Sequence, residues 1–329
     1  MKLIPTLYIE RRDKSTVFRK NREIKYLAVD YGNGKVYNRR MSKCNLCPRK
    51  CGVERAEEVG YCNAPDEFVL SKIMLHHGEE PVISGTRGSG ALFFSGCNLR
   101  CVYCQNYCVS AKEQGERISE ERLKREIFTL VERGAHNINL VTAGHYAKRL
   151  IPVLEKIKPK LTVPIVYNTS AYESDSVIRA LDGLIDVYLP DYKYAFSDLA
   201  KNYSKAEDYP EIAEKAIAEM LRQKPKCVIE KGLIKEGVII RHLVLPGERA
   251  NGQAVMEKIA EKFSGAQVSV MRQYTPKFNR SEYKNLSRKV TGFEYESVVS
   301  RALELGLDGY IQEKGCETDE LTPDFSKIY

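Results

Sequence analysis

The chain predicts an α/β protein built on a mostly parallel sheet. Three observations carry this: six short apolar runs of strand length, a helical pattern between successive runs, and helix stops at Gly134 and Pro159. Alternation of this kind favours parallel strands joined by helical crossovers.

The elements follow in order. Residues 91–95 form an apolar run that ends at Gly96, and a Cys-rich loop comes next. Ser119 has the place of an N-cap and Ile118 with Leu123 that of a hydrophobic staple, while Leu123, Ile127, Leu130 and Val131 make an apolar stripe. Residues 137–142 read as a strand and 146–158 as a helical stretch that Pro152 breaks or restarts. Strands follow at 163–168 and 184–189, with a short helix at 174–181 between them. Pro210 suits a first helical position, with Ile212, Ala213, Ala216, Ile217, Met220 and Leu221 on one face behind it. A strand at 238–245, a helix at 253–263, a strand at 267–271 and a helix at 294–305 complete the series.

Size and composition suit an enzyme with a large core. The chain has 329 residues, 43% of them hydrophobic, and no stretch approaches the roughly 20 apolar residues of a membrane span. Its first residues hold too short an apolar run for a signal peptide, so the expectation is a cytoplasmic protein, with no membrane partner, whose ten Cys serve metals rather than disulfides.

Two cysteine groups stand out. Cys97, Cys101 and Cys104 have the spacing C-x3-C-x2-C and offer three thiolates. A cubane iron–sulfur cluster normally takes four, so three leave one iron open for a substrate. A closed zinc site, the alternative, usually draws on two paired Cys knuckles rather than one compact triad. The second group, Cys44, Cys47, Cys51 and Cys62, makes a complete set of four, which fits either structural zinc or an auxiliary cluster. Cys108, Cys227 and Cys316 read as spare or packing thiols.

The C-x3-C-x2-C motif, with aromatic Tyr103 before its last Cys, resembles the radical S-adenosylmethionine (radical SAM) superfamily. The resemblance covers about residues 85–305 and implies a partial (β/α)6 TIM-like barrel carrying a [4Fe-4S] cluster whose open iron chelates SAM. The implied reaction is reductive cleavage of SAM to a 5′-deoxyadenosyl radical, which abstracts hydrogen from a substrate. The small N-terminal region, residues 1–84, is set apart from the barrel at 85–329 and carries the four-Cys segment at 44–62. The chain is most similar to homologues of pyruvate formate-lyase activating enzyme in the branch often called PflX-like, on the four-Cys segment, the Gly-Ser-Gly run at 88–90 and Cys104-Gln105-Asn106.

Barrel ligands sit at the C-terminal strand ends, and the resemblance assigns SAM contacts there. Thr142, Ala143 and His145 stand where the superfamily commonly has a Gly-Gly-Glu-like segment; the acid is absent, and His145 also suits a capping role. Asn168 follows the third strand. Asp191 and Lys193 resemble an activase Asp-x-Lys whose lysine holds the SAM carboxylate; an ordinary surface ion pair is the alternative. Arg241, a strand arginine among Val and Ile, must reach a partner or water. Tyr274 suits either packing against adenine or the core, and Thr275 replaces a family histidine.

Residues 1–62 carry 15 Lys and Arg against 7 Asp and Glu, an excess of eight that equals the formal charge of the whole chain. Aromatic interleaving for nucleic acid is not evident, so the expected partner is an acidic, low-potential electron donor such as a flavodoxin or ferredoxin. The leading functional reading is an anaerobic activase that installs a glycyl radical on a protein substrate. The alternatives are radical modification of a peptide or small molecule, or a non-catalytic iron–sulfur or zinc protein.

Overall fold

A computed structural model describes residues 2–3, 43–111, 114–318 and 322–329. Most of the basic excess of residues 1–62 falls on 4–42 and lies outside the described residues. The chain supplies β1 (Lys2–Leu3), β2 (Phe68–His76), α1 (Pro81–Ser84) and β3 (Ser89–Phe94), then the Cys loop, α2 (Tyr107–Ser110) and β4 (Glu116–Ile118). Next come α3 (Glu120–Glu132), β5 (Ile138–Val141), α4 (Ala147–Ile157), β6 (Ile165–Thr169), α5 (Asp175–Ala180) and β7 (Val187–Pro190). After α6 (Ser197–Ser204), α7 (Tyr209–Gln223) and β8 (Val228–Glu230), the chain ends with β9 (Leu233–Leu243), α8 (Arg249–Lys262), β10 (Gln267–Met271), α9 (Gly292–Glu304) and β11 (Gly309–Ile311).

Strands β3, β5, β6, β7, β9, β10 and β11 lie side by side in that order, each parallel to its neighbours. The first six are the strands expected from the apolar runs. Antiparallel β2 extends the sheet beyond β3, β4 pairs with β2, and β1 with β11. The end strands β1 and β4 do not pair among the described residues, so the sheet is an open, partial TIM-like barrel. Strand β2 binds β3 directly, although the sequence reading left its residues in the N-terminal region. Strands β4, β8 and β11 have three residues each, too few for a period of two to register.

Among the described residues, side-chain caps start α3 and α9. The Ser119 hydroxyl accepts from Arg122 N at 3.2 Å and starts α3 as expected. Pro152 neither breaks nor restarts its helix; it sits inside α4. Proline removes the donor to the carbonyl four residues earlier, here that of exposed Lys148, and the buried stripe of Leu150, Val153, Leu154 and Ile157 still packs. Pro210 occupies the second position of α7, one residue later than read. Among the described residues no helix is long and apolar enough to cross a membrane.

Alternation along the strands divides the core and creates the site. Ile165, Tyr167, Tyr188, Val238, Ile240, Val268 and Val270 face the helices in the main cluster. Their neighbours Val166, Val187, Leu189 and Ile239 point into the barrel, where α1 closes the floor with Val82 and Ile83. One step of two further along these strands stand Asn168, Asp191 and Arg241, so the period that buries an apolar interior layer carries polar groups at its upper edge.

Candidate active site

A cavity of about 220 Å³ opens at the C-terminal strand ends. Cys97, Cys101 and Cys104 line it from the loop after β3, and Asp191, Lys193 and Arg241 line it from the barrel interior. Tyr103, Thr142, Asn168, Tyr274 and Thr275 also border it. Residues up to 178 positions apart thus converge on one space.

The Cys loop begins at Gly96, whose φ of +90° lies in the left-handed region, and an added Cβ would meet the Cys62 carbonyl at 2.6 Å. Cys97 N donates to that same carbonyl at 3.0 Å. Arg49 Nε reaches the Asn98 carbonyl at 2.9 Å, and its guanidinium stacks over Tyr61 at 4.0 Å. On the opposite side, Arg280 N donates to Val102 O at 2.9 Å and its guanidinium to Cys104 O at 2.6 Å. The loop is therefore gripped from both sides by backbone contacts.

Arg241 organises the charged floor. It donates to Asp191 Oδ1 at 2.9 Å, Glu79 Oε2 at 3.1 Å and Asn168 Oδ1 at 2.6 Å. Glu79 Oε1 in turn accepts from Asn139 and Asn168 at 3.0 and 3.1 Å. Lys193 Nζ lies 2.7 Å from Asp191 Oδ2, and its side chain is only 17% exposed, so the pair belongs to a half-buried network on the cavity wall rather than to the open surface. Burial works to raise the Asp191 carboxyl, but Arg241 and Lys193 outweigh it and hold it below its ordinary value. Burial wins at Glu79 and raises its carboxyl against the pull of Arg241.

Thr142 at the end of β5 has φ of +59°, an uncommon conformation for a β-branched residue and one often found at functional sites. Tyr103 and Tyr274 meet edge to face at 6.2 Å; Tyr274 OH donates to Leu286 O at 2.6 Å, so this ring both packs and borders the cavity. Two residues expected at the site stand back from the cavity wall. Ala143 and His145 are buried but do not line the cavity. His145 instead places Nε2 2.8 Å from the Ser95 carbonyl, and burial lowers its pKa to about 3, so the ring stays neutral and serves the turn. Glu173 occupies the space beside Gly144, where an added Cβ would meet its carboxylate oxygens at 2.3 Å.

Glu79 and His76 at the cavity went unread in the sequence. His76 meets Phe93 edge to face at 6.0 Å, and burial lowers its pKa. Neither residue sits in a periodic or motif context; the only available signal was that Arg241 needed a buried acid.

Among the described residues no three His, Cys, Asp or Glu side chains converge where a single metal ion would sit. A cubane cluster makes a different demand, since each thiolate ligates its own corner iron and the sulfurs stand apart around a shared space. Cys97, Cys101 and Cys104 fit that demand on the cavity wall. Burial pushes the Cys101 thiol up to about 11 against the opposing pull of the Lys193 ammonium, and metal ligation would remove the proton. Cys44, Cys47, Cys51 and Cys62 share one neighbourhood, with Gly52 N donating to Cys44 O at 3.0 Å, but they too do not converge on a single-ion position. Cys108 packs beside Phe93, Val141 and Phe325 and does not line the cavity.

The chain is 29% identical over 274 residues to an uncharacterised protein of Methanocaldococcus jannaschii, covering 80% of this chain and 75% of that one. Among solved structures, a spore photoproduct lyase mutant aligns with a TM-score of 0.50 and 9% identity, over 74% of this chain and 79% of the other. A domain of a pyruvate-formate lyase-activating enzyme from Bacteroides vulgatus aligns with a TM-score of 0.39 and 11% identity, over 51% and 92% of the two chains. The family model for the radical SAM superfamily matches residues 92–259, just over half of the chain and inclusive of all three cavity cysteines. The chain belongs to the radical SAM superfamily.

Proposed function

We propose that this protein reductively cleaves SAM at a [4Fe-4S] cluster held by Cys97, Cys101 and Cys104, and that it acts as a PflX-like, pyruvate formate-lyase activase-type oxidoreductase on a glycyl-radical partner. The observation that carries the reading is the meeting of these three thiols with the half-buried Asp191–Lys193–Arg241 network in one cavity. When bound, the cluster supplies one electron to a sulfonium C–S bond and yields a radical that takes hydrogen from the substrate. Lys193 presents a cation suited to the SAM carboxylate, Thr142 and Asn168 offer polar contacts, and Tyr274 a flat apolar wall.

An acidic electron donor such as a flavodoxin or ferredoxin suits the basic excess of residues 1–62, of which Arg49 stands against the Cys loop. We propose zinc or an auxiliary cluster for the four-Cys segment, and either one requires its thiols to draw together from the positions they hold here. An auxiliary cluster would favour peptide or small-molecule modification over glycyl-radical activation, because a minimal activase needs only one cluster.

The test is anaerobic reconstitution with iron and sulfide, reduction with dithionite, and chromatographic detection of 5′-deoxyadenosine from SAM, with iron and zinc counted on the same sample. Deoxyadenosine that disappears in Cys101→Ala supports the reading. A bound cluster without SAM cleavage under any reductant sinks it.

A further inference from the structure

Cys101 is the cavity cysteine with the closest hydroxyl. Ser204 Oγ, at the last residue of α6, lies 3.0 Å from Cys101 Sγ. The same oxygen is 2.7 Å from Tyr194 Oη, which is 2.6 Å from Tyr103 Oη. All three hydroxyl-bearing residues are buried. A metal-bound thiolate carries no proton and can only accept, which sets the direction of the chain. Ser204 donates to the sulfur, Tyr194 donates to Ser204, and Tyr103 donates to Tyr194. Hydroxyls aligned head to tail polarise one another and strengthen the terminal hydrogen bond.

The other two sulfurs are served differently. Cys97 Sγ accepts a backbone N–H from Leu99 at 3.4 Å, and Cys104 Sγ stands 3.5 Å from Ser110 Oγ. The donor at Cys101 is also fixed in place by the loop itself: Val102 N donates to Tyr203 O at 2.8 Å and Arg100 N to Ser204 O at 3.3 Å. Two backbone hydrogen bonds therefore tie the end of α6 to the Cys loop beside Ser204.

We propose that Ser204 is a positioning residue that tunes the iron–sulfur centre, its hydroxyl raising the reduction potential through Cys101 with Tyr194 and Tyr103 as a polarising relay. The proposal rests on the reading that Cys101 ligates a cluster. Hydrogen bonds to cluster sulfur stabilise the extra negative charge of the reduced state, so losing one makes the cluster harder to reduce.

The experiment compares wild type, Ser204→Ala, Ser204→Thr, Tyr194→Phe and Tyr103→Phe after anaerobic reconstitution, with iron counted per chain and midpoint potential read by an electron paramagnetic resonance titration against dithionite. For Ser204→Ala the reduced-to-oxidised ratio at a fixed potential should fall about fivefold, the weight of one ordinary hydrogen bond, or about 40 mV at 59 mV per tenfold for one electron. Ser204→Thr should restore the potential, Tyr194→Phe should shift it less than Ser204→Ala, and Tyr103→Phe least. A Ser204→Ala protein with full iron and an unchanged or raised potential overturns the proposal. If Ser204→Ala takes up no iron, Tyr194→Phe decides, and a wild-type potential there overturns it. A wild-type protein that binds no cluster removes the cluster reading itself and this proposal with it.

Discussion

The two cysteine groups look alike in sequence and behave differently in the fold. Cys97, Cys101 and Cys104 open onto a cavity beside Lys193, Asp191 and Arg241. Cys44, Cys47, Cys51 and Cys62 do not line that cavity and pack behind the first group, where the Cys62 carbonyl holds Cys97 N and Arg49 holds Asn98 O. Exposed, half-buried and buried thiols mix in the second group. Spacing alone therefore shows that thiols can meet, while chemistry depends on what else faces them. The N-terminal group supports the site through its contacts with the backbone of the Cys loop.

The largest expected effect separates the cavity cysteines from their neighbours. Cys101→Ala should lose cluster absorbance and all deoxyadenosine formation, whereas Cys108→Ala should keep both; equal loss in the two variants would erase the distinction. Next comes the charged floor of the cavity. Arg241→Met leaves Glu79 and Asp191 buried without their shared cation, and removing one partner from such a network costs about 3 kcal/mol or more. Urea unfolding of the metal-free protein measures it, and a loss below about 1 kcal/mol would mean that water reaches the floor.

A pH test sharpens the contrast between the strand end that faces the cavity and the one beside Gly144. Burial raises Glu173 from an ordinary 4.5 to about 7, against hydrogen bonds from Thr169 and Tyr167. The folded state thus holds this proton more tightly than the unfolded chain. Its stabilising share is full below pH 4.5 and is lost as pH rises through 7, about 3 kcal/mol in all. Glu173→Gln should flatten that part of the stability profile and be the more stable form at pH 8; an unchanged slope would place the titration elsewhere.

Smaller effects probe the grip between the two groups and the strain beside it. Arg49→Ala should cost about 2 kcal/mol, the range for hydrogen bonds from a charged donor, and should hasten loss of cluster absorbance in air. Normal cluster lifetime in this variant would mean that the N-terminal segment does not support the loop. Thr142→Gly relieves a left-handed β-branched residue and should raise the melting stability by about 1 kcal/mol while weakening SAM binding by equilibrium dialysis. Unaltered SAM affinity would remove Thr142 from the binding surface.

Much of this molecule was legible in its sequence, for reasons of range. Six parallel strands announced themselves because an apolar run followed by a 3.6-residue stripe is a local pattern, and Cys97, Cys101 and Cys104 because their spacing is read within one loop. Asp191 and Lys193 were placed at a strand end by their resemblance to an activase Asp-x-Lys, and Arg241 because an arginine in an apolar strand must reach a partner or water. Tertiary structure alone decided their partners. Glu79 meets Arg241 across 162 positions, and Ser204 meets Cys101 across 103. Only the fold shows that His145 turns from the cavity to Ser95 and that Cys62 supports Cys97. Hydrogen bonds between distant residues leave no periodic trace in the chain; they exist because parallel strands bring remote backbones side by side, and burial then makes each polar group find a partner.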